Sequence, residues 1–492
     1  MRDLAIGIDV GTTGVKGVVV SSKGKIVATT SRRCDLISPK PGFAEEDPNV
    51  WHKNVLEILK EFSVFKDRIS SIGISGMVPT LILIDSEGNP LGNSIQQNDS
   101  RAVKEIDYFK KVLDEEKFFR VTGNTINQQL IFPKFLWLRK NRPKLIEKAR
   151  WIMGSYNYIN FKLTGVPNLE KNWALESGLW KIDGGWYEDV LKVSGISENM
   201  LPRVYDPWKV IGYLKEDVSR VVGLSSGIPV IAGSADHIAS ALSTGLNRDG
   251  DLLLKFGGAG DVLYVSKTLR LSKKLFIDYH DIPGMYVPNG CMASSGSIVK
   301  WFMSEFTDKS YEELTSLARD IPPGSEGLVA LPYFIGEKTP IFDPKARGVF
   351  VGISTHHTKA HIFRAILESV AYGFRHHVEV LEEEGFKIKR VFMSNGGAKN
   401  ELWREIVADV VGKDAIYILN NPGSSLGAAF IAGKTAGIFK DWEDIDLFTK
   451  ERVLVKHNPK RKDIYDKFYD VYREVYENLK ETFKKIHDIL EG

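Results

Sequence analysis

The chain has 492 residues, 43% hydrophobic and 26% charged, with a net charge of +3. The length predicts two to four domains at roughly 150 residues each, and the composition is that of a globular enzyme; the small charge argues against nucleic acid or an anionic membrane as partner. Cys34 and Cys291 are the only cysteines, too few for a disulfide framework or a Cys-based zinc site. No apolar run reaches membrane-spanning length, and the N-terminal one is broken by Asp9 and glycines, unlike a signal peptide, so a cytoplasmic protein with reduced thiols is expected.

The first element is the most informative. The run Ile6-Gly7-Ile8 ends in Asp9, passes through Gly11-Thr12-Thr13-Gly14, and resumes after Lys16 as Gly17-Val18-Val19-Val20. This predicts a β-hairpin whose turn can hold phosphate. Gly11 and Gly14 let the backbone approach an anion. Thr12 and Thr13 add hydroxyl donors, and Asp9 is placed to hold hydrated Mg²⁺ through water. A strand follows the turn rather than a helix, so it is neither a Walker loop nor a dinucleotide fingerprint. The turn Ser22–Lys25 leads to a third strand at Ile26-Val27-Ala28.

A helix is expected from Trp51 to Phe62, started by Asp47-Pro48. Buried strands follow at Ile72–Met77 and Leu81–Asp85, and residues 102–165 are mostly helical by period. A second cycle opens near 228. The run Ile228–Ala232 leads to Gly233-Ser234-Ala235-Asp236 and a small-residue helix from His237 to Leu242. Then Leu252–Phe256, the turn Gly257-Gly258-Ala259-Gly260 and Val262–Val265 repeat the hairpin device, which is consistent with two related halves. A long helix is expected after Thr358, closed by Gly385, and a strand at Val391–Ser394 runs into Asn395–Asn400. Tyr465, Phe468, Tyr472, Val475, Leu479, Phe483 and Ile486 recur at helical spacing and form a packing stripe. His356, His357 and His361 lack a Cys or paired carboxylate at ligand spacing and read as a solvated helix start.

Together these pieces resemble the FGGY carbohydrate kinases of the actin-like ATPase superfamily, over essentially the whole chain. The motifs fall in the family's order: Asp9–Lys16, Gly233–Asp236, the signature in Leu331–Tyr333, Gly336–Pro340 and Asp343–Gly348, then Asn395–Asn400 with Trp403 and Arg404, and Ser425–Ala429. The resemblance implies an α/β protein of two actin-like (ribonuclease H-like) domains flanking a deep cleft. A sugar-binding N-terminal domain would occupy 1–245 and an ATP-binding C-terminal domain 246–492, with cleft closure excluding water. It implies transfer of the ATP γ-phosphoryl group to a sugar hydroxyl, D-xylulose first; ribulose, gluconate, glycerol or a tetrulose are rival acceptors, and a non-catalytic actin-like nucleotide-binding module is the rival class.

A neutral hydroxyl needs a carboxylate to take its proton, and Asp236 is the candidate base; a plain helix N-cap is its other reading. Asp9 is the Mg²⁺ carboxylate. By resemblance Gly11, Thr12, Thr13 and Lys16 contact phosphates and Gly257 and Gly258 form a second phosphate turn. Gly296 and Lys300 line the nucleotide site, and Gly397 and Asn400 approach adenosine. Met77, Val78, Asn98, Asp99 and Arg101, with Asp236, line the sugar site, a surface Asp99–Arg101 salt bridge being the bland reading. Glu337, Asp343 and Arg347 read as structural ion pairs. Val78 and Gln97 depart from the nearest branch, which carries His and Trp there, and Gly257-Gly258-Ala259 departs from its Gly-Thr-Ser. Dimers are common in the resembling family.

Overall fold

The computed structural model describes residues 2–491. The chain divides into two units, and neither is a contiguous half. Unit 1 is Met1–Asn247 with Ile277–Tyr286 and Asn421–Lys450; unit 2 is Arg248–Phe276, Val287–Asn420 and Glu451–Gly492. The first break lies between Asn247 and Arg248. The two later returns to unit 1 left no mark in composition, because they are ordinary strand and helix.

The main strands are numbered along the chain. In unit 1 they are β1 (Leu4–Gly11), β2 (Gly14–Ser21), β3 (Ile26–Arg33), β4 (Ile69–Gly76), β5 (Val210–Tyr213), β6 (Pro229–Ile231) and β7 (Ser234–Ala235). They form one sheet in the order β5-β6-β4-β1-β2-β3, with β7 also paired to β4. The β1–β2–β3 run is antiparallel, β4 joins β1 in parallel, and β6 joins β4 in parallel. β1 is buried along nearly its whole length, as the apolar residues on both of its faces require.

In unit 2 the strands are β8 (Asp251–Phe256), β9 (Gly260–Tyr264), β10 (Tyr286–Met292), β11 (Arg390–Ser394), β12 (Ala415–Ile418) and β13 (Arg452–Val455). They lie side by side as β10-β9-β8-β11-β12-β13. Again the first three are antiparallel, and β11 and β12 join in parallel. Each unit thus repeats one plan: a hairpin extended by a third strand, then two parallel neighbours and an antiparallel edge. The edge strand precedes its partner in unit 1 (β5 before β6) and follows it in unit 2 (β13 after β12).

Most helices fall where their patterns place them. Pro48–Glu61 is capped by Asp47, whose carboxylate accepts from the Asn49 N–H, and it buries Trp51, Val55, Ile58 and Leu59. The 102–165 stretch holds five helices and one strand the period did not separate, Trp151–Met153. The C-terminal helix Pro459–Glu491 buries Tyr465, Tyr472 and Phe483 in the unit 2 core, but Ile486 is half exposed, so the stripe ends earlier than expected. The helix Lys359–Glu383 opens with the Thr358 N–H donating to Nδ1 of His361, and the Ser354 N–H donates to Nδ1 of His357. These histidines cap and brace the helix start.

One helix ties the unit 1 sheet together. Ser424–Thr435, carrying the Ser425–Ala429 motif, lies on β1 and β4 so closely that a Cβ on Gly7 would sit 1.9 Å from the Ser425 carbonyl oxygen. A Cβ on Gly73 would sit 2.3 Å from the Ala428 oxygen, and one on Gly427 would sit 2.0 Å from the Ala239 oxygen. The small residues of that motif are therefore a contact face.

Candidate active site

The carboxyl ends of β1, β4 and β7 meet in unit 1, the edge at which open α/β sheets bind ligands. Asp9 pairs across from Ser75, and Ser75 across from Ser234, so the three form a row over adjacent strands. Ser75 Oγ donates to Asp9 Oδ1 at 3.0 Å, and Ser424 also hydrogen-bonds this carboxylate. Burial and the charge of Asp236 push Asp9 up to about 6. Two sequence-predicted carboxylates, 227 positions apart, are thereby brought within electrostatic reach in one unit. Gly233, before β7, has a φ of 87° and a Cβ there would lie 1.9 Å from the Ile74 oxygen, so only glycine lets β7 run beside β4.

Asp236 is the first residue of the helix Asp236–Ser243, and Ala235 holds the cap position. Its Oδ1 accepts from the His237 N–H at 2.7 Å, and the side chain keeps about 37% exposure. The plain N-cap reading therefore does not describe it: a partly exposed carboxylate stands at a helix start, where the dipole favours its ionised form.

The surroundings of His237 carry almost no signal in the sequence. Its Nδ1 lies 3.5 Å from Asp236 Oδ1, and its Nε2 lies 3.2 Å from Asp278 Oδ2 and 3.9 Å from Glu176 Oε1. Burial pulls the imidazole down, but Glu176, Asp236 and Asp278 outweigh it and hold it well above the usual histidine range. Burial and Asp278 likewise push Glu176 up. The frame is rigid. Asn172 Nδ2 donates to the Tyr279 carbonyl at 2.9 Å and its Oδ1 accepts from the Tyr279 N–H at 2.8 Å, pinning Asp278 beside the helix Lys171–Glu176. Glu170 caps that helix by accepting from the Asn172 and Trp173 N–H groups, and Tyr156 Oη donates to it at 2.7 Å. Only Asp278, a carboxylate inside the apolar strand Phe276–Tyr279, could have been noticed beforehand.

The sugar-loop residues divide. Met77 and Val78 are buried; the Met77 N–H donates to the Val10 carbonyl, and Ser155 Oγ donates to the Met77 carbonyl. Asn98 is exposed. Asp99 and Arg101 form a bidentate pair at 2.8 and 2.7 Å, buried instead of on the surface. Asp99 also accepts from the Ala44 N–H, Arg101 reaches Glu45 at 2.6 Å, and its guanidinium lies over Phe43. Lys134, also missed, is fully buried and donates to the Gln96, Gln97 and Gln129 carbonyls, with burial lowering it to about 7.

Thr12, Thr13 and Lys16 are exposed around the first turn, with Gly11 half-buried. In unit 2, the Gly257 and Gly258 carbonyls accept from the Gly296 and Ser295 N–H groups, at 2.8 and 2.7 Å. Gly296 starts the helix Gly296–Glu305, on which Lys300 is exposed. Gly397 is held to glycine by packing, since a Cβ would meet Trp403 at 2.7 Å and Phe256 at 2.9 Å. The Asn400 side chain is fully engaged: it donates to Tyr311 and Thr315 and accepts from the Trp403 N–H as a helix cap. Glu337, Asp343 and Arg347 are not the ion pairs expected. Glu337 accepts from the Ala293 and Lys338 N–H groups, Asp343 from Tyr476 and from backbone, and Arg347 donates to carbonyls. Each fixes the local backbone.

Residues 4–243 match the N-terminal domain, and residues 257–436 the C-terminal domain, of the FGGY family of carbohydrate kinases. A xylulose kinase of Lactococcus lactis is 30% identical over 479 residues, 95% of each chain. The crystal structure of xylulose kinase from Rhodospirillum rubrum matches with a TM-score of 0.92 at 38% identity, covering 98% of this chain and 100% of that one. A gluconate kinase from Lactobacillus acidophilus matches with a TM-score of 0.92 at 27% identity, covering 98% and 99%. The chain belongs to the FGGY family of carbohydrate kinases. It is an enzyme that transfers a phosphoryl group from ATP to a sugar, and its units carry the actin-like ATPase fold of that family.

Proposed function

We propose that the acceptor is D-xylulose, phosphorylated at its terminal hydroxyl to the 5-phosphate, with Asp236 as general base. The supporting observation is the partly exposed Asp236 carboxylate beside buried Asp9, at the carboxyl edge of the unit 1 sheet. The relatives at 30% and 38% identity, from Lactococcus lactis and Rhodospirillum rubrum, are both xylulose kinases. Gluconate is the weaker reading, because the partly exposed Asp236 carboxylate would repel an aldonate.

The Asp236 carboxylate accepts the sugar hydroxyl proton as the oxygen attacks the γ-phosphorus; the new O–P bond forms, the bond to the β-phosphate oxygen breaks, and ADP leaves. Asp9 fits a Mg²⁺ ion held through water: it offers hard oxygen ligands, and the repulsion from Asp236 that raises it is relieved by a nearby cation. A Mg²⁺ ion held there by Asp9 would neutralise phosphate charge. Gly11, Thr12, Thr13 and Lys16 hold phosphate oxygens through the unit 1 turn, and Gly257 and Gly258 do so through the unit 2 turn. Backbone at Gly296 and Gly397, with Lys300, serves the nucleotide. Met77, Val78 and Asn98 face the sugar, while Asp99 and Arg101 brace their loop. Free thiols at Cys34 and Cys291 suit a cytoplasmic enzyme, and no helix among the described residues is long and apolar enough to cross a membrane.

Phosphorus NMR of the product from D-xylulose and Mg-ATP tests this reading. A single phosphomonoester at the terminal carbon is expected. Phosphate at another carbon, or inorganic phosphate alone, would reject it.

A further inference from the structure

The imidazole of His237 stands between two sets of carboxylates. One ring nitrogen faces Asp236 at 3.5 Å; the other faces Asp278 at 3.2 Å and Glu176 at 3.9 Å. The His237 N–H also donates to Asp236 Oδ1, so backbone and ring of one residue address the same oxygen. The outer carboxylates are fixed by the Asn172–Tyr279 clamp, and the ring is about 19% exposed. These groups come from three separate stretches of unit 1.

We propose that His237 is a positioning residue that links Glu176 and the buried Asp278 to Asp236 and holds that carboxylate oriented and ionised. The inference rests on Asp236 being the base. Glu176, Asp236 and Asp278 draw the imidazole up from the ordinary histidine range against the effect of burial, and a charged ring at that distance favours the Asp236 anion. Other titratable groups facing the cluster are Asp281, buried and pushed up to about 8, and Glu170, pushed up to about 7 by burial and held by Tyr156. Asp9 faces Asp236 from β1. Lys16 acts on Asp9, and the Tyr156 phenol faces Glu170, Glu176 and Asp236; His237 is the basic group placed directly between Asp236 and the Glu176 and Asp278 carboxylates. A metal ion held by Glu176, His237 and Asp278 is the competing reading, since their ligand atoms lie within 4.8 Å of one another.

Two measurements on the full-length chain decide. In the first, the His237 imidazole is followed by NMR from pH 5 to 9, assigned by its loss in H237Q. The proposal expects a ring still protonated at pH 8, and a midpoint lowered by roughly one unit in D236N, E176Q and D278N, the size of one lost close charge. In the second, pH profiles of kcat and KM are compared between wild type and H237Q, with thermal melts confirming that both are folded. The expected result is a kcat reduced roughly tenfold or more, a sugar KM within about threefold, and an acid limb moved up by about one pH unit. A ring titrating near the ordinary histidine value, a ring unmoved in D236N, or superimposable profiles would overturn the proposal. So would a ring whose signals shift with added Mn²⁺ or Zn²⁺ at micromolar concentration and show no protonated form at pH 8. If no sugar is turned over, the kinase reading fails by itself, and the ring titration still judges the network.

Discussion

At the residue scale the two carboxylates Asp9 and Asp236 carry the account. Replacing Asp236 by Asn removes the proton acceptor and the charge that acts on Asp9 and His237, while the amide oxygen can still accept from the His237 N–H. We expect kcat to fall by about two to four orders of magnitude, the range of general acid–base contributions, with ATP affinity within a few-fold by equilibrium binding. Near-normal turnover would reject the base. Replacing Asp9 by Ala should raise the Mg²⁺ concentration for half-maximal rate by roughly tenfold or more, about 1.4 kcal/mol; an unchanged Mg²⁺ titration would reject its metal role. Asp9 stands out in the sequence because it ends a short apolar run at a Gly-containing turn, whereas Asp236, placed after Gly233 at a helix start, is picked out as a base only by the family motif. Asn400 and Asp99 were less legible. Pattern shows that a polar residue is present, but not that its hydrogen-bonding capacity is already taken up inside the protein, as it is by Tyr311, Thr315 and Trp403 for one and by Ala44 and Arg101 for the other.

At the element scale, strands with alternating turns and helices with clear caps are legible in sequence because their causes are local. The β1–β2 hairpin and the Asp47-capped helix are examples. The helix Ser424–Thr435 is different. Its small residues make weak sequence signal, and their purpose shows only where Gly7 and Gly73 bring the sheet against it. A methyl added at Gly7 must displace backbone at 1.9 Å, which side-chain repacking cannot relieve. We expect G7A to cost about 3 kcal/mol or more, the upper range for overpacking, read as a lowered urea midpoint. Wild-type stability in G7A would mean that this helix–sheet contact is looser than described. The Glu176–His237–Asp278 cluster was invisible for the same reason: its members lie far apart in sequence, and the Asn172–Tyr279 clamp holds the Asp278 strand beside the helix that carries Glu176.

At the scale of the whole molecule, the repeated plan of the two sheets accounts for the repeated strand–Gly-turn–strand pattern in the sequence. That repeat was visible as two hairpins some 250 residues apart, whereas the returns of Ile277–Tyr286 and Asn421–Lys450 to unit 1 were not, since composition carries no record of which neighbour a strand or helix selects. The family follows from the matched domains, and the sugar is the remaining choice. Val78 and Gln97 alter the side chains expected around the acceptor while the backbone of the Met77 loop stays pinned by Val10 and Ser155. The most direct test is coupled ADP release from Mg-ATP with D-xylulose, set beside ribulose, a tetrulose, glycerol and gluconate. Strong release with D-xylulose and little with gluconate is expected. Release with gluconate and none with D-xylulose would contradict the assigned acceptor, and no stimulation by any of them would contradict a sugar kinase built on Asp236.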